Sequence, residues 1–357
     1  MAAQDTLNRM LVVVGDLHLG AESCGALDEF KSDEEFHRLL TDIIPNQVGC
    51  SATLCLNGDF VDFTRLLRPS PDSNAVQGSE ELAVLQLKAA VDAHPIVFAA
   101  LRQFVERGGK VVVIPGNHDV EFLWPAVFEV LRKEVAADKQ GSVVRLCEGA
   151  IQSDGVLIEH GHQLTWDNSF RNWPNPIVRH GLSETLEKPW GNRFMDLIYR
   201  ELPDFQPYVY SLLYRQVACR IIVRSFFDGD GISRHIVRRI LPFLIRTFPE
   251  TIWRRWRRAG VSRRTGANPG VIVRGHTHVA EDRVVETSAK KVRLLNPGSW
   301  LSRIQIDPGS APHFHDLDRQ PRSQELKYVV IDRENLEASR LCALEERSEP
   351  TTLSAVF

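Results

Sequence analysis

Five short polar motifs each follow an apolar run in this chain, and this arrangement limits the fold more than any other feature. Each run has about five residues rich in Val, Ile or Leu and predicts a buried strand. The motifs are Gly15-Asp16-Leu17-His18, Gly58-Asp59-Phe60-Val61-Asp62, Gly116-Asn117-His118-Asp119, Glu159-His160-Gly161-His162 and Gly275-His276-Thr277-His278. Open α/β sheets bind ligands at the carboxyl ends of their strands, so these side chains are predicted to meet at one sheet edge.

The polar residues of the motifs are typical metal ligands. Asp16 and His18 are two positions apart at a strand end, which puts both side chains on one face. Asp59 has two carboxylate oxygens and can bridge two ions. The predicted ligands are Asp16, His18, Asp59, Asn117, His160, His276 and His278. Such nitrogen and oxygen ligands suit manganese, iron, zinc or nickel, and we expect two divalent ions, with manganese first among them.

This metal centre predicts hydrolysis of a phosphate ester. Two divalent ions facing two carboxylates keep a net positive charge, which suits a phosphate group. They also lower the pKa of a bound water towards roughly 7, which supplies a nucleophile at neutral pH. Taken alone, each motif can also be read as a turn or a surface pair. Five of them in order, each after an apolar run, favour the metal centre.

The order of the apolar patterns predicts an α/β fold. Helical spacing occurs over 33–44 and 80–107, and Pro95 is predicted to kink or split the second helix. The first part of the chain therefore reads β-α-β-α-β. After Gly141 strand-like runs dominate, and they predict a second, mostly antiparallel sheet. These runs lie at 143–147, 156–159, 271–274, 292–295 and 327–331.

Together the motifs resemble those of the calcineurin-like metallophosphoesterase superfamily: D-x-H, G-D-x-x-D, G-N-H-D/E, H and G-H-x-H. The resemblance covers residues 10–180 and 266–332. It implies a four-layer α/β/β/α sandwich with a dimetal site at the strand ends. By position it implies that one metal is held by Asp16, His18, Asp59 and His278. It implies that the other is held by Asp59, Asn117, His160 and His276.

The same resemblance gives His118 and Asp62 catalytic roles. The predicted reaction is in-line attack on phosphorus by a hydroxide that bridges the two metals. In the family, the histidine of G-N-H protonates the leaving oxygen or stabilises the phosphoryl charge, and here that residue is His118. Asp62 would orient this imidazole and keep it protonated. The alternative for Asp62 is a carboxylate that caps a local turn; Asp119 has the same alternative and ranks second.

Departures from the motifs narrow the branch of the family. Phe63 and Thr64 stand where protein Ser/Thr phosphatases have Arg-Gly, which argues against a phosphoprotein substrate. The stretch 160–171 is similar to the segment after the metal histidine in UDP-2,3-diacylglucosamine pyrophosphatases. That similarity implies a substrate pocket lined by Asp167, Asn168 and Arg171, although that branch has Arg in place of His118. His162 is a second-layer residue, a substrate contact or part of an exposed loop.

Residues 181–265 are predicted to form a basic helical cap inserted into the core. The segment 181–266 holds sixteen Lys/Arg and eight Asp/Glu, a net +8, in a chain of net −3. The predicted core is therefore discontinuous, over 1–180 and 266–345, with a frayed tail at 346–357. Four parts of the cap have helical patterns: 183–201, 208–227, 232–248 and 249–259.

The cap leaves three kinds of partner open. Trp253 and Trp256 lie on one predicted helical face. They are flanked by Arg254, Arg255, Arg257 and Arg258. Tryptophan beside arginine suits an anionic membrane surface, and it suits a nucleic-acid backbone nearly as well. The third reading is a plain lid with a solvated basic edge.

Location and function class follow from the remaining patterns. The N-terminus shows no secretion signal, and no apolar stretch reaches the roughly 18 residues of a membrane span. Six scattered cysteines suit a reducing compartment, so we expect a cytoplasmic protein that can approach a membrane through its cap. The expected substrate is a phosphorylated molecule, and lipid-linked and nucleotide-containing compounds are the two candidates. The alternatives are a nuclease or nucleotide phosphodiesterase, and more distantly a non-catalytic metal-binding scaffold, which would have lost ligands.

Overall fold

The computed structural model describes residues 7–21, 29–66, 78–136, 143–181, 183–201, 269–286, 290–307 and 314–344. Its strands are β1 Met10–Val14, β2 Thr53–Asn57, β3 Lys110–Ile114, β4 Val144–Leu146, β5 Ala150–Ser153, β6 Val156–Glu159, β7 Ile177–His180, β8 Ser183–Leu186, β9 Val271–Val273, β10 Glu281–Glu286, β11 Lys291–Asn296, β12 Arg303–Ile304, β13 Arg322–Ser323, β14 Lys327–Asp332 and β15 Arg340–Ala343. Its α-helices are α1 Asp33–Arg38, α2 Ile44–Val48, α3 Glu80–Ala93, α4 Pro95–Glu106, α5 Pro125–Ala136 and α6 Trp190–Glu201.

The first sheet has six strands in the order β15-β14-β1-β2-β3-β4. β1, β2, β3 and β4 run parallel, whereas β14 and β15 pair antiparallel at the other side. β1 and β3 bury four of their five residues and β2 buries all five, because both faces of the sheet are covered. This burial is why unbroken apolar runs, and not alternating ones, marked these strands in the sequence.

Proline shapes the helices that cover the first sheet. The predicted helix 80–107 is two helices, α3 and α4, bent by 91° at the break before Pro95. The predicted helix 33–44 continues further, through a π-helical turn at Leu39–Ile43 and then α2. Pro45 lacks an N–H and its ring crowds the preceding turn. The wider π-helical turn relieves this crowding, so the helix continues past Pro45.

No single helix in the described ranges is long and apolar enough to cross a membrane. Within those ranges α3 and α4 reach that length and composition together, and their apolar residues belong to the protein core: Ala83, Leu87, Val97 and Leu101 are fully buried.

The second sheet has five strands in the order β10-β11-β9-β6-β5. Its central pairs β11–β9 and β9–β6 are parallel, and its outer pairs are antiparallel. The expectation of a mostly antiparallel sheet was therefore wrong, and the predicted strands at 143–147 and 327–331 belong to the first sheet. A parallel pair needs a long crossover, and the chain between β6 and β9 supplies more than enough length.

The two sheets pack face to face. Leu11 and Val13 of β1 point towards the second sheet, while the alternate residues Val12 and Val14 point towards the helices. The core between the sheets also contains Val112, Ile114, Ile158, Val271, Val273, Leu295, Val329 and Ile331. Helices, first sheet and second sheet thus form three consecutive layers, and the α/β fold class is confirmed. A helical layer outside the second sheet is not among the described elements and stays a prediction.

Little of the predicted cap falls within the described residues. Residues 183–186 form β8, which pairs with β7 as a hairpin, so the helix predicted over 183–201 begins only at Trp190. Pro189 explains this start, because a proline disfavours helical backbone in the residue before it. The other three helical segments of the cap, with Trp253 and Trp256, and the tail 346–357 lie outside the described residues.

Candidate metal centre

All five motifs lie directly after parallel strands, in the loops that follow β1, β2, β3, β6 and β9. Five of the seven predicted ligands have left-handed backbone, with φ between 52° and 68°: Asp16, His18, Asp59, His276 and His278. A residue with a side chain rarely adopts this conformation, and such strained residues cluster at functional sites. The fold therefore holds these side chains in place at a conformational cost.

Two motif glycines let the carboxylates approach the backbone. A Cβ on Gly116 would lie 2.1 Å from Asp59 Oδ1, and one on Gly275 would lie 2.5 Å from Asp16 Oδ2. Both distances are far below van der Waals contact. The glycine before Asn117 and the glycine before His276 are thus needed for the ligands of neighbouring loops to fit.

The first group of ligand atoms comes from Asp16, His18, Asp59 and His278, all within 4.8 Å of one another. His18 Nε2 lies 3.0 Å from His278 Nε2, and His278 Nε2 lies 3.4 Å from Asp16 Oδ1. His18 Nδ1 lies 3.1 Å from Asp62 Oδ2, which leaves Nε2 as the ligand atom. Two imidazole nitrogens this close, beside two carboxylates, form a donor set that suits one cation.

The second group comes from Asp59, His160 and His276, again within 4.8 Å. His160 Nδ1 lies 2.9 Å from the Asn57 carbonyl oxygen, and His160 Nε2 lies 3.1 Å from Asp59 Oδ2. Burial lowers the pKa of His160, but Asp59 and Asp16 outweigh it and raise the pKa to about 10. The carboxylates thus favour a cationic partner here, and a metal ion would displace the proton.

The predicted ligand Asn117 has a side-chain oxygen that is available to a metal ion. Its side chain is 1 % exposed, and its Oδ1 is buried without a hydrogen-bond partner. A buried acceptor left unpaired costs roughly 1–3 kcal/mol, so such an atom calls for a ligand. The residues on either side of Asn117 contact Asp59: a Cβ on Gly116 would lie 2.1 Å from Asp59 Oδ1, and the His118 N–H donates to the same oxygen at 2.9 Å.

Asp59 belongs to both groups and so stands between them. Its Oδ1 accepts the backbone N–H of His118 at 2.9 Å, which fixes the carboxylate. Burial would raise the pKa of Asp59, but the charges of His160 and His118 hold it well below its usual range. A carboxylate that stays ionised between two clusters of imidazoles is suited to bridge two cations.

Asp62 orients two imidazoles at once. Asp62 Oδ1 lies 3.1 Å from His118 Nδ1, and its Oδ2 lies 3.1 Å from His18 Nδ1. Burial lowers the pKa of His118, but Asp62 and Asp59 outweigh it and raise the pKa to about 9. Asp62 also accepts the Thr64 N–H at 3.2 Å, so the turn-capping role coexists with the pairing to His118.

Asp119 bonds to the backbone of two loops. Its two oxygens accept the backbone N–H groups of Gly116 at 2.6 Å and Phe60 at 2.7 Å. Burial and the charge of Asp59 raise the pKa of Asp119 to about 7. The residue joins the loops after β2 and β3.

The four predicted substrate residues have different positions. His162 is 1 % exposed, lies beside His160 and contacts Trp173 edge-on, so it is not part of an exposed loop. Asn168 Nδ2 lies 3.3 Å from His276 Nε2, at the second group. Asp167 is buried, and its carbonyl accepts a hydrogen bond from α6. Arg171 is exposed, and its backbone N–H donates to the Glu187 carboxylate.

Several contacts of the centre had not been predicted. Thr64 Oγ1 lies 3.2 Å from His118 Nδ1, and Arg65 Nε lies 3.1 Å from Asp62 Oδ2. Their position just after G-D-x-x-D could have indicated them. Thr165 Oγ1 lies 3.1 Å from His276 Nε2, and Asn192 Nδ2 donates to the Asn117 carbonyl at 2.8 Å. Thr165 lies within the stretch 160–171, whereas no sequence motif marks Asn192.

The layered α/β fold and the buried Asp/His cluster at its strand ends define a metal-dependent phosphoesterase. The sequence pattern of the calcineurin-like phosphoesterase family matches residues 10–217, more than half of the chain. The chain belongs to this family. No curated protein matches it. The family match ends before His276 and His278, and it is the fold that brings these two residues to the other ligands.

Proposed function

We propose that the chain hydrolyses a phosphate ester or pyrophosphate bond at a centre of two divalent ions. The observation that supports this most directly is the position of Asp59 in both ligand groups. One ion would be held by Asp16, His18, Asp59 and His278, and the other by Asp59, Asn117, His160 and His276. When bound, the ions would neutralise phosphate charge and acidify a water.

In this proposal the residues of the chain hold the metal ions, orient the His118 imidazole and protonate the leaving oxygen. Asp62 keeps His118 cationic through Nδ1, which leaves Nε2–H of His118 to donate to the leaving oxygen. Arg65 is a fixed positive partner of Asp62, so that carboxylate stays ionised when His118 gives up its proton. The ligands are nitrogen and oxygen atoms with no thiolate, which suits manganese, with iron, zinc or nickel as alternatives.

The proposed substrate is a lipid-linked or nucleotide-containing phosphate compound. Support comes from residues 160–171, which resemble a pyrophosphatase segment and whose Asn168 lies 3.3 Å from His276 Nε2. A nucleotide phosphodiesterase or nuclease would use the same ions and the same acid. The preferred leaving group, and the preference for a phosphate monoester or diester, would distinguish these activities.

Metal removal and replacement test the proposed reaction. We expect chelator-treated protein to lose activity on p-nitrophenyl phosphate and bis-p-nitrophenyl phosphate, and manganese to restore most of it, because the ligand groups supply no other electrophile. Faster cleavage of the diester would favour diester or pyrophosphate substrates. Full activity after two chelation cycles, with no metal found by mass spectrometry, would contradict the proposal.

The basic cap is proposed to bring the enzyme to an anionic membrane surface. Each basic residue near such a surface is worth about 1 kcal/mol, so changing Arg254, Arg255, Arg257 and Arg258 to Glu should weaken vesicle binding at least about 10³-fold. Sedimentation with vesicles containing phosphatidylserine measures this.

A matched control changes four exposed basic residues of the core, Arg283, Lys291, Arg319 and Arg322, to Glu. It alters the net charge equally, so equal loss of sedimentation in both variants would show a non-specific charge effect and sink the membrane proposal. Salt-sensitive binding of single-stranded DNA that only the cap variant loses would favour a nucleic-acid partner instead.

A further inference from the structure

The first turn of α6 contacts the metal-holding loops. Asn192 is 6 % exposed, and its Nδ2 donates a hydrogen bond of 2.8 Å to the backbone carbonyl of Asn117. The Oδ1 of Asn192 is buried and has no hydrogen-bond partner. The unpaired oxygen lowers the stability of the folded chain, because a buried acceptor loses its hydrogen bonds to water. The bond from Nδ2 to Asn117 fixes this helix at the site.

Gly191 makes a second contact with the same side of the centre. Its N–H donates to the Asp167 carbonyl at 2.6 Å, and a Cβ added to Gly191 would lie 2.2 Å from Asn168 Oδ1. Asn168 in turn lies 3.3 Å from His276 Nε2. The helix backbone therefore packs directly on the side chain that contacts His276.

Both contacts lead to the second ligand group. Asn117 and His276 are candidate ligands of the second ion only. The first group is supported differently: Asp62 orients His18, and Ser299 Oγ donates to the Asp16 carbonyl at 2.7 Å. Removing the contacts of α6 should thus disturb one ion and leave the other in place.

We propose that Asn192 and Gly191 are positioning residues for the second metal ion, so that this ion and the docking of α6 stabilise each other. The inference rests on the proposed dimetal function. Residues that orient metal ligands typically change metal affinity 10–100-fold when replaced. Linkage makes the effect reciprocal: whatever α6 adds to the affinity for the ion, the ion adds to the docking of α6.

Titration of the metal-free protein with manganese tests the selectivity. In Asn192→Ala we expect one of two sites to weaken roughly 10–100-fold and the other to stay within about twofold. Gly191→Ala should weaken the same site, because its Cβ displaces Asn168. The control is Asn172→Ala, an exposed asparagine in the loop before β7, which should keep both sites.

A double-mutant cycle and hydrogen exchange test the mechanism. If Asn192 acts through Asn117, Asn117→Ala and Asn192→Ala should not add, and the double variant should weaken the site no more than about twofold beyond Asn117→Ala. Manganese should slow amide exchange in the peptide covering 187–197 of the wild type, and this protection should vanish in Asn192→Ala.

Three results would overturn the inference. Unchanged affinity at both sites in Asn192→Ala would remove Asn192 from the centre and leave the dimetal proposal intact. Equal loss at both sites would show general destabilisation and no selective positioning. Absence of manganese binding in the wild type would defeat the dimetal proposal itself and this inference with it.

Discussion

Replacing Asp59 by asparagine is expected to remove both metal ions and lower activity at least about 10³-fold. The reason is that the two ligand groups share this one carboxylate. An amide has one oxygen and no charge, so it cannot bridge two cations. Metal ions contribute several kcal/mol to transition-state stabilisation and each ~1.4 kcal/mol is tenfold in rate, which sets the expected loss. Metal content after dialysis and kcat on bis-p-nitrophenyl phosphate are the measurements.

The fold should survive Asp59→Asn, because the amide oxygen can still accept the N–H of His118 where Asp59 Oδ1 does now. Circular dichroism and the melting temperature of the metal-free protein check this. Asp42→Asn, at an exposed position in the π-helical turn, controls for the loss of one negative charge and should keep activity and metal. An Asp59→Asn protein with two ions and near-wild-type turnover would show that Asp59 does not bridge.

The parallel strands β1, β2 and β3 could be predicted closely because their apolar runs end at residues that stop a strand. β1 and β3 each have the five residues expected of these apolar runs, and they are followed by Gly15 and Pro115. The pairing of strands could not be predicted in this way. Whether the run at 327–331 joins the first or the second sheet depends on which strand it pairs with. An apolar run that is buried on both faces does not indicate its neighbouring strand.

The candidate ligands could be predicted because each motif is local, and two or three neighbouring residues set the orientation of its side chains. The positive φ of Asp16, Asp59 and His276 could not be predicted, since even Asp and His, which adopt this backbone more often than most residues, do so in a small minority of cases. Asn192 is 75 positions from Asn117, the residue that its side chain contacts. A single asparagine in a helix carries no pattern, so only the folded chain identifies it.

His118→Ala is expected to lower kcat by about 10²–10⁴-fold with both ions retained, the size typical for loss of a general acid. Metal should stay because the contact that His118 makes with Asp59 is its backbone N–H, which alanine keeps. Asp62 also keeps partners, with Arg65 Nε at 3.1 Å and His18 Nδ1 at 3.1 Å. Turnover and metal content, measured on the same sample, separate this variant from Asp59→Asn.

The leaving group tells whether His118 acts as an acid. A proton from His118 matters most when the departing oxygen is a strong base, so the defect of His118→Ala should be larger with alkyl esters than with p-nitrophenyl esters. An equal defect with both would instead assign His118 to stabilising the phosphoryl charge. His37→Ala, at a half-buried position of α1, is the control and should match the wild type. Turnover near that of the wild type with every leaving group would remove His118 from the mechanism, and its high pKa would then reflect only the two carboxylates beside it.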